Sequence, residues 1–137
     1  MATFNKFNSF VEAVAEKVHN LGADTLKIML TNSAPVATNT QKSNLTDISA
    51  GNGYSAGGTP VTVTASSQTS GTYSLVGNDV VFTASGGSIG PFRYAVLYND
   101  TATNKELIGW FDYGSSITLA NGENFTVDFG ATILQIA

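Results

Sequence analysis

At 137 residues the chain fits one domain, residues 1–137, large enough to bury about two-thirds of the surface that its unfolded form exposes. The absence of Cys excludes disulfides, thiolate metal sites and cysteine nucleophiles. A net charge of -4, with six basic residues spread singly at Lys6, Lys17, Lys27, Lys42, Arg93 and Lys105, argues against nucleic acid as a partner, and no apolar run approaches the roughly 20 residues that span a bilayer.

The start, Met1-Ala2-Thr3-Phe4-Asn5, lacks the basic and apolar regions of a signal peptide, so the chain is expected to stay where it is made until assembly or lysis. Phe4, Phe7, Val11, Val14, Val18 and Leu21 then recur at spacings of three and four, which predicts one amphipathic helix over residues 4–21 lying on its own sheet. Ser9 and Glu12 form a candidate capping box, and Gly22 is placed to end the helix. Asp24 to Thr31 alternates as a half-buried strand with a polar exposed face.

Residues 32–60 show no sustained period. Such an arm is either ordered by a partner or wrapped on the sandwich edge, with Leu45, Ile48 and Tyr54 as its anchors. Strands return at Val61–Ala65, Thr72–Val76 and Val80–Ala84, the last two joined by a tight link at Gly77-Asn78-Asp79, while residues 66–71 read as a loop.

Phe92–Tyr98 and Leu107–Tyr113 form a hairpin through the Asn- and Thr-rich link between them. Strict alternation places Phe92, Tyr94, Val96 and Tyr98 on one face and Arg93, Ala95 and Leu97 on the other; Leu107, Gly109, Phe111 and Tyr113 alternate with Ile108, Trp110 and Asp112. Both faces are largely apolar, so the pair is expected at the centre of a sheet covered on each side. Ser116–Ala120 and Glu123–Phe129 flank Asn121-Gly122, a strong hairpin signal, with Ile117, Leu119, Phe125, Val127 and Phe129 inward; a short strand at Thr132–Ile136 closes the chain. The expected fold is mainly β: an antiparallel β-sandwich of eight or nine short strands over residues 24–137, with one N-terminal helix and the irregular arm.

Few groups suggest chemistry. The Gly-rich run at 51–58 lacks the helix start and the Lys of a phosphate loop, and its glycines suit turns with positive φ. His19, the one histidine, sits where it would cap the helix C-terminus. Asp112 and Asp128 form a nominal carboxylate pair, and Asp47, Asp79 and Asp100 are isolated loop carboxylates without the density of a calcium loop. No enzyme activity, cofactor or metal is expected.

Four ordered blocks, Thr25-Leu26-Lys27-Ile28-Met29-Leu30-Thr31-Asn32, Gly51-Asn52-Gly53-Tyr54-Ser55-Ala56-Gly57-Gly58, Arg93-Tyr94-Ala95-Val96-Leu97-Tyr98-Asn99-Asp100 and Leu107-Ile108-Gly109-Trp110-Phe111-Asp112-Tyr113-Gly114, resemble a family of small virion structural proteins of tailed bacteriophages. The resemblance spans nearly the whole chain and carries over no catalytic residue. It implies a capsid decoration, or cement, protein on the virion surface, bound to the major capsid protein as a homo-oligomer, with a trimer matching icosahedral three-fold positions. Leu45, Ile48, Tyr54 and Trp110 are then the expected partner-binding residues. A tail or head-fibre module that binds a host glycan through Tyr54, Trp110 and Tyr113 is the alternative.

Overall fold

In the computed structural model, which describes residues 2–137, the chain runs β1 (Phe4–Lys6), α1 (Ser9–Ala15), β2 (Leu26–Thr31), a 3-10 turn (Lys42–Asn44), β3 (Thr59–Pro60), β4 (Val63–Thr69) and β5 (Thr72–Gly77). It continues through β6 (Val80–Thr83), β7 (Ile89–Asn99), β8 (Leu107–Leu119), β9 (Asn124–Val127) and β10 (Leu134–Ile136). A five-stranded antiparallel sheet in the order β1-β8-β7-β2-β3 forms one layer. The sheets β10-β5-β4 and β6-β9 supply core residues against it, giving the expected mainly β, sandwich-like fold without a closed barrel among the described residues. Among those residues no helix is long and apolar enough to cross a membrane.

β7 pairs with β2 on one side and β8 on the other, and both of its faces are covered. Phe92, Ala95 and Leu97 enter the main core with Ile28, Leu30, Ile108, Phe111, Leu75 and Phe82. Val96 and Tyr98 enter a second cluster with Phe7, Met29, Leu45 and Leu107. The expected two-faced hairpin is therefore central, but its strict alternation breaks at two places. Pairing shifts between Phe92 and Tyr94 and again between Leu97 and Tyr98, so Phe92 shares a face with Ala95, and Leu107 shares one with Trp110. The outer face of β2 is also buried, because the second cluster covers Met29.

The helix expected over 4–21 is confined to residues 9–15. Phe4 lies instead in β1, paired with Phe111, and its ring occupies the place that a side chain at residue 109 would fill; Gly109 leaves that place open. Phe7 turns into the second cluster, while Phe10 and Ala13 make the buried face of α1 and Val11 is 54% exposed. No side-chain cap bond forms at Asn8, so the Ser9/Glu12 box is not used. The stop is made at Lys17, just past the C-cap Glu16, and not at Gly22: Lys17 adopts φ 67°, its N–H bonds Val14 O (3.3 Å) and the Val18 N–H bonds Ala13 O (2.8 Å), a Schellman arrangement with lysine where glycine is usual.

Two turns join different sheets from those expected. β5 pairs with β4 and β10 whereas β6 pairs with β9, so Gly77-Asn78-Asp79 is a crossover and not a hairpin. Asn121-Gly122 is a turn, with Gly122 at φ 89°, yet it carries the chain from β8, which is held by β7, to β9, which is held by β6. The inward positions Leu119, Val127 and Phe129 are buried as expected. Residues 66–69, read as loop, extend β4, and the turn shrinks to Ser70-Gly71, both at positive φ as a type I′ hairpin demands.

Burial separates the helix residues by their expected effect. Phe7→Ala should cost about 3–5 kcal/mol, since it opens a cavity beneath Trp110. Val11→Asp should stay within about 0.5 kcal/mol of wild type, which chemical denaturation of both variants will check.

Candidate functional site

The arm over residues 32–60 is irregular but packed, and polar fasteners hold it. The Thr31 hydroxyl donates to Thr46 O (2.5 Å), and the Asp47 carboxylate accepts from the Tyr54 hydroxyl and from the Gly57 N–H (2.6 Å). The Tyr54 oxygen in turn accepts the Leu30 N–H of β2 (3.0 Å), and the Tyr98 hydroxyl donates to Gly57 O (2.5 Å). Burial, reinforced by the bond to Asp47, raises the Tyr54 pKa well above the usual phenol range, so it stays a donor. A side chain at Gly58 would overlap the Ile28 carbonyl, and one at Gly53 the Thr83 carbonyl, so the glycines permit close backbone approach as well as positive φ.

This arrangement turns three of the four expected partner-binding residues inward. Tyr54 and Leu45 are buried and Ile48 packs on the main core, where the arm covers its own sheet. Ile48 and Trp110 are only partly buried, and Trp110 is tilted on Phe7 at 4.6 Å between ring centroids. Tyr113 lies against the other cluster, beside Phe125, so Tyr54, Trp110 and Tyr113 do not form one aromatic platform.

An open groove of about 950 Å³ lies between the end of α1, the turn after β7 and the β5/β10 side of the second layer, lined by His19, Asp24, Tyr73, Thr101, Glu106 and Ile136 among others. His19 lies beyond the helix and is buried, not capping. Asn99 Oδ1 accepts the N–H groups of Thr101 and Ala102, so its Nδ2 must donate, to Asp24 Oδ2 (2.7 Å) and to His19 Nδ1 (3.0 Å). That leaves Nδ1 bare and the proton on Nε2. Burial lowers the His19 pKa against the opposing pull of Glu106 and Asp24. Neither His19 Nε2 nor Glu106 Oε2 has a hydrogen-bond partner among the described residues; both atoms are buried, in residues that line this groove. The nearby hydroxyls of Ser66 and Tyr73 bond each other (2.8 Å).

A second groove, about 510 Å³, gathers Lys27, Lys42 and Lys105, which are far apart in sequence. Asp100 bridges Lys27 (3.4 Å) and Lys105 (3.3 Å); burial pushes its carboxyl pKa up, but the two lysines outweigh this and hold it low. Lys42 sits over the Tyr98 ring. Asp112 is clamped by Arg93 in an exposed two-point pair and Asp128 accepts from the Gly130 N–H, with no bond between the two carboxylates. Asp79 accepts the Phe129 N–H. Among the described residues no group of three or more His, Asp or Glu side chains could hold a metal ion.

The sequence reading missed both polar networks. An acid seven residues before a tyrosine in a Gly-rich loop was a usable signal for the first; the His19–Asn99–Asp24 network had none, since its members are brought together only by the return of β7 beside β2. Comparison with protein-family models, with curated proteins and with solved structures found no match.

Tyr54→Phe should cost about 1–3 kcal/mol in a denaturant titration, because it strands the Leu30 N–H and one Asp47 oxygen. For His19 the folded pKa lies below the ordinary 6.5, so its contribution is full above that value and declines as pH falls towards the folded pKa. The melting temperature should therefore drop between pH ~7 and ~5, and His19→Gln, which keeps an acceptor but does not titrate, should flatten that part of the profile.

Proposed function

We propose that this chain is a non-enzymatic structural protein of a tailed-phage virion, a capsid decoration protein that binds the outer capsid surface as a homo-oligomer and bridges major capsid subunits. The observation that carries the reading is the convergence of the four blocks through which the chain resembles that family. Residues 25–32 include β2, residues 93–100 lie on β7 and residues 107–114 open β8, and these three strands are hydrogen-bonded neighbours. The Gly-rich block is pinned on them through Tyr54, Gly57 and Gly58. Blocks separated by up to dozens of residues in sequence thus form one structural unit, which supports treating them as a single signature.

The mechanism is burial of surface. A protein that binds only the assembled lattice stabilises it by mass action, and many identical sites multiply a modest contact energy. With Tyr54 and Leu45 inward, the contact surface moves to the corner where the arm meets α1. The Asn8 N–H bonds Ala37 O (2.9 Å), next to Val36, which is 52% exposed; Val11 lies on the following helix, and Trp110 rests on Phe7 just before it. The glycan-binding alternative draws less support, since Tyr54 is buried and Trp110 and Tyr113 pack on different clusters.

Labelled imaging of intact virions should find many copies over the head; a few copies confined to the tail would overturn the reading. Val11→Asp combined with Val36→Asp should leave the far-UV spectrum unchanged but lower retention on purified capsids through repeated washing. Retention equal to wild type would remove this corner as the contact.

A further inference from the structure

β4 is an open sheet edge of a kind that folded proteins usually block. It ends the order β10-β5-β4 and pairs only with β5, and residues 64–69 are all exposed. The two-residue turn at Ser70-Gly71 makes Thr69 and Thr72 a mutually bonded pair, so by alternation Ser67 and Ala65 also bond towards β5. The N–H and C=O groups of Ser66 and Gln68 therefore point away from the sheet, and neither residue's backbone has a partner on that side among the described residues.

The other edges of the molecule are shorter or carry the usual deterrents, and β10, the opposite edge of this sheet, has only three residues. β1 has three residues and ends in Lys6, and β3 has two and ends in Pro60. β6 and β9 have four each and are flanked by Asp79, Glu123 and Asp128. β4 has seven residues, no charge and no proline, and its only irregularity is a register shift between Val63 and Ala65, at its start. Neither β5 nor β10 carries a charge either, so none of the chain's 16 Lys, Arg, Asp and Glu residues, six basic and ten acidic, falls in this sheet.

We propose that β4 pairs with β4 of a second copy of this chain, antiparallel about a two-fold axis, to make one continuous six-stranded sheet. The charge pattern selects this occupant. In a two-fold pairing each residue meets its own kind or a near neighbour, so any charge on the strand would repel itself, whereas an uncharged strand is complementary to its own copy. The outward groups fix the register. Ser66 faces Gln68 of the second copy and Gln68 faces its Ser66, four backbone hydrogen bonds form, and the two Ser67 side chains meet at the axis. The pairing does not depend on the capsid reading and is tested without capsids.

Sedimentation velocity of the purified chain should show a concentration-dependent dimer. Ser67→Lys and Ser67→Glu, each at an exposed position, should keep the wild-type far-UV spectrum and, at concentrations where the wild type is monomeric, its melting temperature, but weaken dimerisation at least about tenfold, because like charges meet at the axis. Mixing the two variants should restore a dimer containing one of each. A wild-type chain that is monomeric at its highest soluble concentration, or trimeric, overturns the proposal; so does a dimer that neither charge weakens, or a mixture that fails to recombine.

Discussion

A strand with neither face in water has to be covered twice, and the fold is arranged around meeting that requirement for β7. Its edges are satisfied by β2 and β8, and one face by the second layer. The other face has no third sheet to meet it. It is closed by pieces: Phe7 from the segment after β1, Leu45 from the arm, and Trp110 from a shifted position on β8. Fully burying each such side chain stabilises by about 1.5–3 kcal/mol, enough to oppose the ordering entropy of the segments that bring them only if those segments are held elsewhere too. The arm is poor in apolar residues, and it is held by side-chain and backbone hydrogen bonds at Thr46, Asp47, Tyr54 and Gly57.

Legibility followed the range of the interaction. The central hairpin, its two apolar faces, the inward residues near the C-terminus and the positive-φ role of the glycines at 51–58 were all readable, because each depends on local alternation or local backbone freedom. The phase of alternation was not, since bulges near Phe92 and Ile108 arise from pairing between strands. The stripe from Phe4 to Leu21 misled for a similar reason: Phe4 answers to Gly109, more than a hundred residues away, and Phe7 to the far face of the sheet. Asn121-Gly122 was rightly a turn and wrongly a hairpin, because turn chemistry sets the bend and not which strands pair afterwards. The candidate site was least legible: Leu45, Ile48 and Tyr54 were correctly seen as anchors, but they fasten the arm to its own sheet.

Charge is distributed unevenly over the folded chain. Lys27, Lys42 and Lys105, with Asp100 between two of them, crowd one end near the β7–β8 turn, whereas β4, β5 and β10 carry none. Salt acts mainly on the first region, through surface pairs that are worth little singly. Contacts made by the second region are backbone bonds and neutral side chains, which ionic strength hardly touches. The molecule thus presents two surfaces that respond differently to the same solution.

The bond from the Leu30 amide to the Tyr54 phenol has a consequence for how the protein breathes. Most amides in the middle of a sheet exchange with solvent when a strand opens, yet this one is shielded by a side chain from an irregular segment. Lifting the loop from 47 to 58 exposes a β2 amide and the Tyr98 hydroxyl in the same event, so loop and sheet belong to one cooperative unit of local unfolding despite their different secondary structure. An opening of this irregular stretch is thereby also an opening at the edge of β2, so exchange at the Leu30 amide reports on the loop as well as on the sheet.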